Sequence, residues 1–243
     1  MRRKTLPTVL GLCLYSSGVF AQAQVEPVYS IWDVSLNQPV TQAPDAMVGE
    51  ITCGTNGGPP GRKLGSFGDF RACEPEDSGL REVSFSYDDE QDYIARALES
   101  EYRVLSGGTS VFAHPVIVSV LVDEAGIVQG RRIVTDDRIG DYERRTAYTL
   151  IRNFKARYGK WSLTCVDLEM KEGEQPVGNQ FIHEYCTGQS PDGRTLIAAE
   201  ASYLRKKGQL GINRETQQVN TGYFESQTWF EEVQLPYTPG NAP

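Results

Sequence analysis

Apolar side chains recur at every second position in one set of segments and at every third or fourth in another. These two periods divide the chain into predicted strands and helices. Leu80 to Tyr87 shows the first period most cleanly: Val83, Phe85 and Tyr87 point one way and Glu82, Ser84 and Ser86 the other, which predicts a strand with one face in the core and one in solvent. Val28 to Val34, rich in β-branched and aromatic residues, predicts an earlier strand. Val111 to Val122 and Ile127 to Thr135 flank Asp123-Glu124-Ala125-Gly126 and predict a hairpin. Its first arm has few polar residues on either face, so it belongs in the middle of a sheet. Trp161 to Leu168, Asn179 to Thr187, Arg194 to Arg205 and Val219 to Val233 predict a β-meander, with Ser190-Pro191-Asp192-Gly193 as one of its turns.

The helical period occurs twice at length. Tyr93, Ile94, Ala97, Leu98, Tyr102 and Leu105 form one apolar stripe, predicting a helix over about 89–103 that Ser106-Gly107-Gly108 ends. Ala147, Leu150, Ile151, Phe154 and Tyr158 form another, predicting a helix over 141–158 with Gly159 as its stop. Ser66 to Ala72 is a shorter candidate, opened by Ser66 with Asp69 three residues on. The expected fold class is therefore α+β, a mostly antiparallel sheet with two main helices. The chain divides most simply into a lobe over 24–138, a lobe over 139–235 and a disordered tail over 236–243. No linker marks the boundary, so one sheet crossing it is the alternative.

The amino terminus changes the picture. Arg2, Arg3 and Lys4 precede a mostly apolar stretch from Leu6 to Phe20, and Ala21-Gln22-Ala23 has the small-x-small form that a signal peptidase cuts after. Residues 1–23 read as a secretory signal peptide, which predicts a periplasmic or secreted protein. Cys13 lies inside that stretch and is preceded by Leu12, so a lipid anchor is not expected. Four cysteines remain, Cys53, Cys73, Cys165 and Cys186, an even number that in an oxidising compartment reads as two disulfides. The simplest pairing joins Cys53 to Cys73 across the run Gly54 to Gly61, and Cys165 to Cys186 across two strands. After the signal, no apolar run approaches the roughly 20 residues that a spanning helix needs.

The whole chain carries a formal charge of −8. Without Arg2, Arg3 and Lys4 it keeps 21 basic residues against 32 acidic ones, a net of −11. A surface that acidic repels nucleic acid and anionic lipid.

Candidate chemistry is sparse. His114 and His183 are the two histidines, with no HExxH or CxxC spacing to suggest zinc. There is no G-x-S-x-G elbow and no phosphate loop. Asp88, Asp89, Glu90 and Asp92 form one acidic cluster and Asp136, Asp137, Asp141 and Glu143 another. Both precede or begin predicted helices, where acids favour the positive end of the dipole. Asp136, Asp137 and Asp141 are a weak calcium candidate; no cofactor is expected. Arg62 and Lys63 on the stapled loop, with Arg144, Arg145 and Arg152 on the second helix, are the candidate binding residues. These readings converge on an exported binding protein of the bacterial envelope, its partner another envelope or exported protein or a cell-wall polymer, with inhibition of an exported enzyme as one form of that binding. An exported hydrolase using carboxylate chemistry and a structural envelope component are the alternatives.

Overall fold

The computed structural model describes residues 29–87, 109–138, 141–212, 218–220 and 222–241. The signal segment and the helix expected over 89–103 lie outside them. Ten of the twelve described strands belong to one antiparallel sheet: β1 (Ile51–Cys53), β2 (Arg81–Phe85), β3 (Ser110–Val111), β4 (His114–Val122), β5 (Val128–Thr135), β6 (Thr164–Asp167), β7 (Glu174–Gln175), β8 (Ile182–Gln189), β9 (Thr195–Lys206) and, after the small hairpin of β10 (Gly211–Ile212) and β11 (Val219–Asn220), β12 (Glu225–Gln234). Along the sheet the order is β1-β2-β4-β5-β12-β9-β8-β6, with β3 on β4 and β7 on β9. The last strand in the sequence therefore fills the middle, pairing with β5 from residues 24–138 and with β9 from residues 139–235. One sheet crosses the boundary between the two expected lobes.

Two neighbouring cross-strand rows give the sheet its character, because successive residues of a strand point to opposite faces. Ile51, Phe85, Val118, Ile133, Phe230, Ala199, Cys186 and Cys165 pair in turn across all eight strands of the path. Thr52, Ser84, Ser119, Arg132, Glu231, Ala198, Thr187 and Thr164 form the adjacent row on the opposite face. One face is thus the apolar core and the other carries a polar band.

α-Helical structure among the described residues is one segment in two pieces, so two main helices are not what these residues contain. α1 (Asp141–Thr146) and α2 (Leu150–Arg157) are joined by a tight 3-10 turn over Ala147–Thr149. The break has local causes. Thr149 Oγ1 donates to the Thr146 carbonyl at 2.7 Å, and Thr228 Oγ1 of β12 takes the Ala147 carbonyl at 2.9 Å, diverting it from a helical partner. Leu150, Ile151, Phe154 and Tyr158 are buried against the apolar face. Phe154 stacks on Phe230 with centroids 4.2 Å apart. Ile31, Val34, Val40, Phe67 and Phe70 complete that layer from the chain before β2.

The expected strand over Val28 to Val34 is, in its described part, a 3-10 turn over Ile31–Asp33. Ser30 and Asp33 close a capping box there, with the Ser30 amide donating to Asp33 Oδ2 at 2.8 Å, and this local bonding overrides β propensity. Phe67–Ala72 is a 3-10 turn with the capping box between Ser66 and Asp69. The expected strand from Val111 is split into β3 and β4 by a two-residue turn, Phe112 and Ala113, both with left-handed backbone at φ 49° and 62°. In β2, Glu82 and Ser84 are buried like Val83 and Phe85, so the strand is covered on both faces rather than half in solvent.

Candidate functional site

Arg131 and Arg132 in β5 lie opposite Glu232 and Glu231 in β12. Strand alternation sends one charge pair to each face of a central strand, where both pairs are largely buried. On the apolar face, Arg131 Nε lies 3.0 Å from Glu232 Oε2, and the Tyr158 hydroxyl donates to the same oxygen at 2.9 Å. Burial first, then the Glu232 charge, raises the Tyr158 phenol well above its ordinary range.

On the polar face Arg132, only 3 % exposed, meets three carboxylates. Its Nε donates to Glu231 Oε2 at 2.7 Å, and Nη1 donates to Glu76 Oε1 at 2.6 Å and to Glu82 Oε2 at 2.8 Å. Burial alone would weaken its hold on the proton, but the Glu76 hydrogen bond and the charges of Glu82, Glu231 and Glu76 outweigh that and raise its pKa. Burial pushes the Glu231 carboxyl upward despite Arg132. The remaining acceptors are satisfied by Ser119 Oγ on Glu82 at 2.6 Å, the Asn56 amide on Glu82 at 2.7 Å and the Gly240 amide on Glu231 at 3.0 Å.

The cover over this cluster comes from two places. Asn56, in the glycine-proline run, accepts from the Trp229 indole at 2.8 Å and donates to the Asn241 carbonyl at 3.1 Å. A Cβ on Gly57, whose φ is +81°, would stand 2.5 Å from Val134 Cγ1, so only glycine lets the run lie this close. The segment 236–241, read from sequence as part of a tail, lies on the same face, with Tyr237 against Leu80, Leu121 and Val233. The run Gly54 to Gly61 is therefore used within the molecule, as a cover over buried charge.

The residues singled out in the sequence fall in separate places. Arg62 and Lys63 lie beside β1; the Arg62 carbonyl accepts from the Cys53 amide at 2.8 Å, and Lys63 makes an exposed pair with Glu50 at 3.5 Å. Arg144 is buried, with its guanidinium over Tyr223 and Phe224, whereas Arg145 and Arg152 are exposed. Asp136 is gripped by Arg138 through Nε and Nη2, both at 2.8 Å; Asp137 is exposed, and the Asp141 side chain lies outside the described residues. His183 is buried, its Nε2 2.8 Å from Glu200 Oε1 and its Nδ1 without a described partner. Cys165, Glu184 and Cys186 are the one described group of three donors close enough for a single ion, and their sulfurs are bonded to each other.

The disulfides Cys53–Cys73 and Cys165–Cys186 sit at opposite margins of the sheet. At β1 the margin is closed: the Cys53 amide donates to Arg62, its carbonyl accepts from Gly61 at 3.0 Å, and the Ile51 carbonyl accepts from Leu64 at 2.9 Å. At β6 it is open. Ser162 and Leu168 donate inward to Gln189 and His183, so alternation turns the amides and carbonyls of Cys165 and Asp167 outward. No described backbone group meets them. All four residues of β6 are exposed, and Val166 is 49 % exposed. Sequence reading missed both this margin and the Arg132 cluster. The available signal was the pair of like-charge doublets, Arg131-Arg132 and Glu231-Glu232, inside strands too apolar to lie at an edge.

Among the described residues no helix is long and apolar enough to cross a membrane. No family model, no curated protein and no solved structure matches this chain.

Proposed function

We propose that this is an exported binding protein of the bacterial envelope that acts through protein–protein contact. The observation that carries the reading is the margin at β6, which no described strand or loop fills, in a sheet whose other margin the chain closes with its own residues. Free strand edges are ordinarily covered or blunted, because they recruit further strands. Export is supported by the basic-apolar leader and by two disulfides of a kind that persist in oxidising compartments. Of the acids on which the carboxylate-hydrolase alternative rests, Asp136 is held by Arg138, and Asp88, Asp89, Glu90 and Asp92 lie outside the described residues.

A photo-crosslinking amino acid at Val166, compared with one at exposed Gln38, tests the reading in the native envelope. The expected result is a defined adduct with another exported protein from position 166 alone. Absence of any adduct, together with turnover of a hydrolase substrate by the purified protein, would overturn it.

A further inference from the structure

The margin at β6 has a definite pattern of chemistry. Cys165 and Asp167 offer outward amide and carbonyl groups, so an added antiparallel strand can hydrogen-bond at both residues. Val166 lies on the polar-band face beside Tyr185, and Asp167 lies on the other face beside Glu184. Glu169 follows two residues after Asp167, just past the end of β6. Of these acids Glu184 is neutralised by Lys155 at 2.6 Å, while Asp167 and Glu169 have no described ion pair. Lys160 and Lys171 lie four residues beyond each end of β6 in the sequence, so the strand itself carries only negative charge.

We infer that β6 accepts an extended segment of a partner protein as an added antiparallel strand, and that the segment alternates basic residues, facing Asp167 and Glu169, with apolar ones, facing Val166. This rests on the binding reading above and specifies its partner. Main-chain bonds supply the attachment, and the alternating side chains supply the choice of sequence. A second copy of this chain suits the margin less well, because both copies carry the same acidic excess.

The test uses the purified, disulfide-intact protein and two synthetic peptides, one alternating lysine with valine and one alternating glutamate with valine. Binding is followed by fluorescence anisotropy, and amide hydrogen exchange is read at Cys165 and Asp167. The lysine peptide is expected to bind at least about tenfold more tightly than the glutamate peptide, to weaken with salt, and to protect both amides. Asp167→Pro removes an outward N–H without touching the ladder to β8, so it should leave the melting temperature unchanged and cut binding by about tenfold. Asp167→Asn combined with Glu169→Gln should retain protection while narrowing the preference between the peptides. Binding that survives Asp167→Pro, or equal binding of both peptides, would overturn the inference. So would a dimer of the unmodified protein that Asp167→Pro dissolves, since a second copy would then occupy the margin. If these peptides fail while crosslinking from position 166 still captures an exported partner, strand addition is wrong and the binding reading stands.

Discussion

At one margin of the sheet, β1 is stapled through Cys53–Cys73 and its outward backbone groups are taken up by residues 61–64. At the other, β6 is stapled through Cys165–Cys186 and its outward groups meet no described backbone partner. The crosslinks close loops of nearly equal length, with separations of 20 and 21 residues. Each constrains the unfolded chain by a similar amount, on the order of 3 kcal/mol in the loop-entropy account. In the native state they do different work. The first fixes a segment that covers an edge and a buried charge cluster, and the second fixes the exposed edge strand to its neighbour. What a crosslink means thus depends on what its loop touches.

The largest expected effect lies in the middle of the sheet, at the charge cluster that the loop of the first crosslink covers. Arg132→Met should cost about 3–5 kcal/mol in urea unfolding, because it strands Glu76, Glu82 and Glu231 in a buried site without their cation. A loss below about 1 kcal/mol would mean that the cluster is far more hydrated than its burial implies.

Removing each crosslink in turn sharpens the contrast. Cys53→Ala with Cys73→Ala, and Cys165→Ala with Cys186→Ala, should each cost about 3 kcal/mol. Hydrogen exchange should separate them. Loss of the first should expose the Trp229 indole N–H that Asn56 accepts; loss of the second should affect β6 and β8 while leaving that proton protected. Equal spread of exchange in both variants would remove the distinction.

A smaller effect concerns the route to the open margin, where Tyr158 accepts the Trp161 amide at 2.9 Å and stacks edge-on with its ring. Burial and Glu232 raise the Tyr158 pKa above the ordinary phenol value of 10.0, so the folded state favours the protonated form. Its contribution is complete below that pH and is lost as pH climbs through the folded-state pKa. Tyr158→Phe should cost about 1 kcal/mol near neutrality and flatten the alkaline decline. Denaturant titrations at pH 8 and above 10 would measure both, and an unchanged decline in the variant would assign it elsewhere.

What could be read from the residues depended on how local the cause was. The hairpin of β4 and β5 was legible because Asp123 to Gly126 marks its turn within four residues. The extent of the helix was legible from its stripe, but its interruption was not, since the side chains that break it include Thr228, 81 residues beyond Ala147. At Val28 to Val34 the β-branched content points to a strand, but the Ser30–Asp33 hydrogen bonds win locally. Glu82 read as a solvent-side residue because its partner Arg132 lies 50 residues away and the register alone brings them together. The open margin at β6 follows only from strand order, which local patterning does not encode.

The position of β12 has a consequence for biogenesis. A ribosome or translocon delivers residues 225–234 after both flanks they must join, so the two halves of the sheet wait with β5 and β9 each lacking a neighbour. Such distant contacts make folding slow and leave raw edges exposed to aggregation meanwhile. A nascent chain stalled or clipped before residue 225 would carry two vacant inner seams, making its final segment the keystone of assembly.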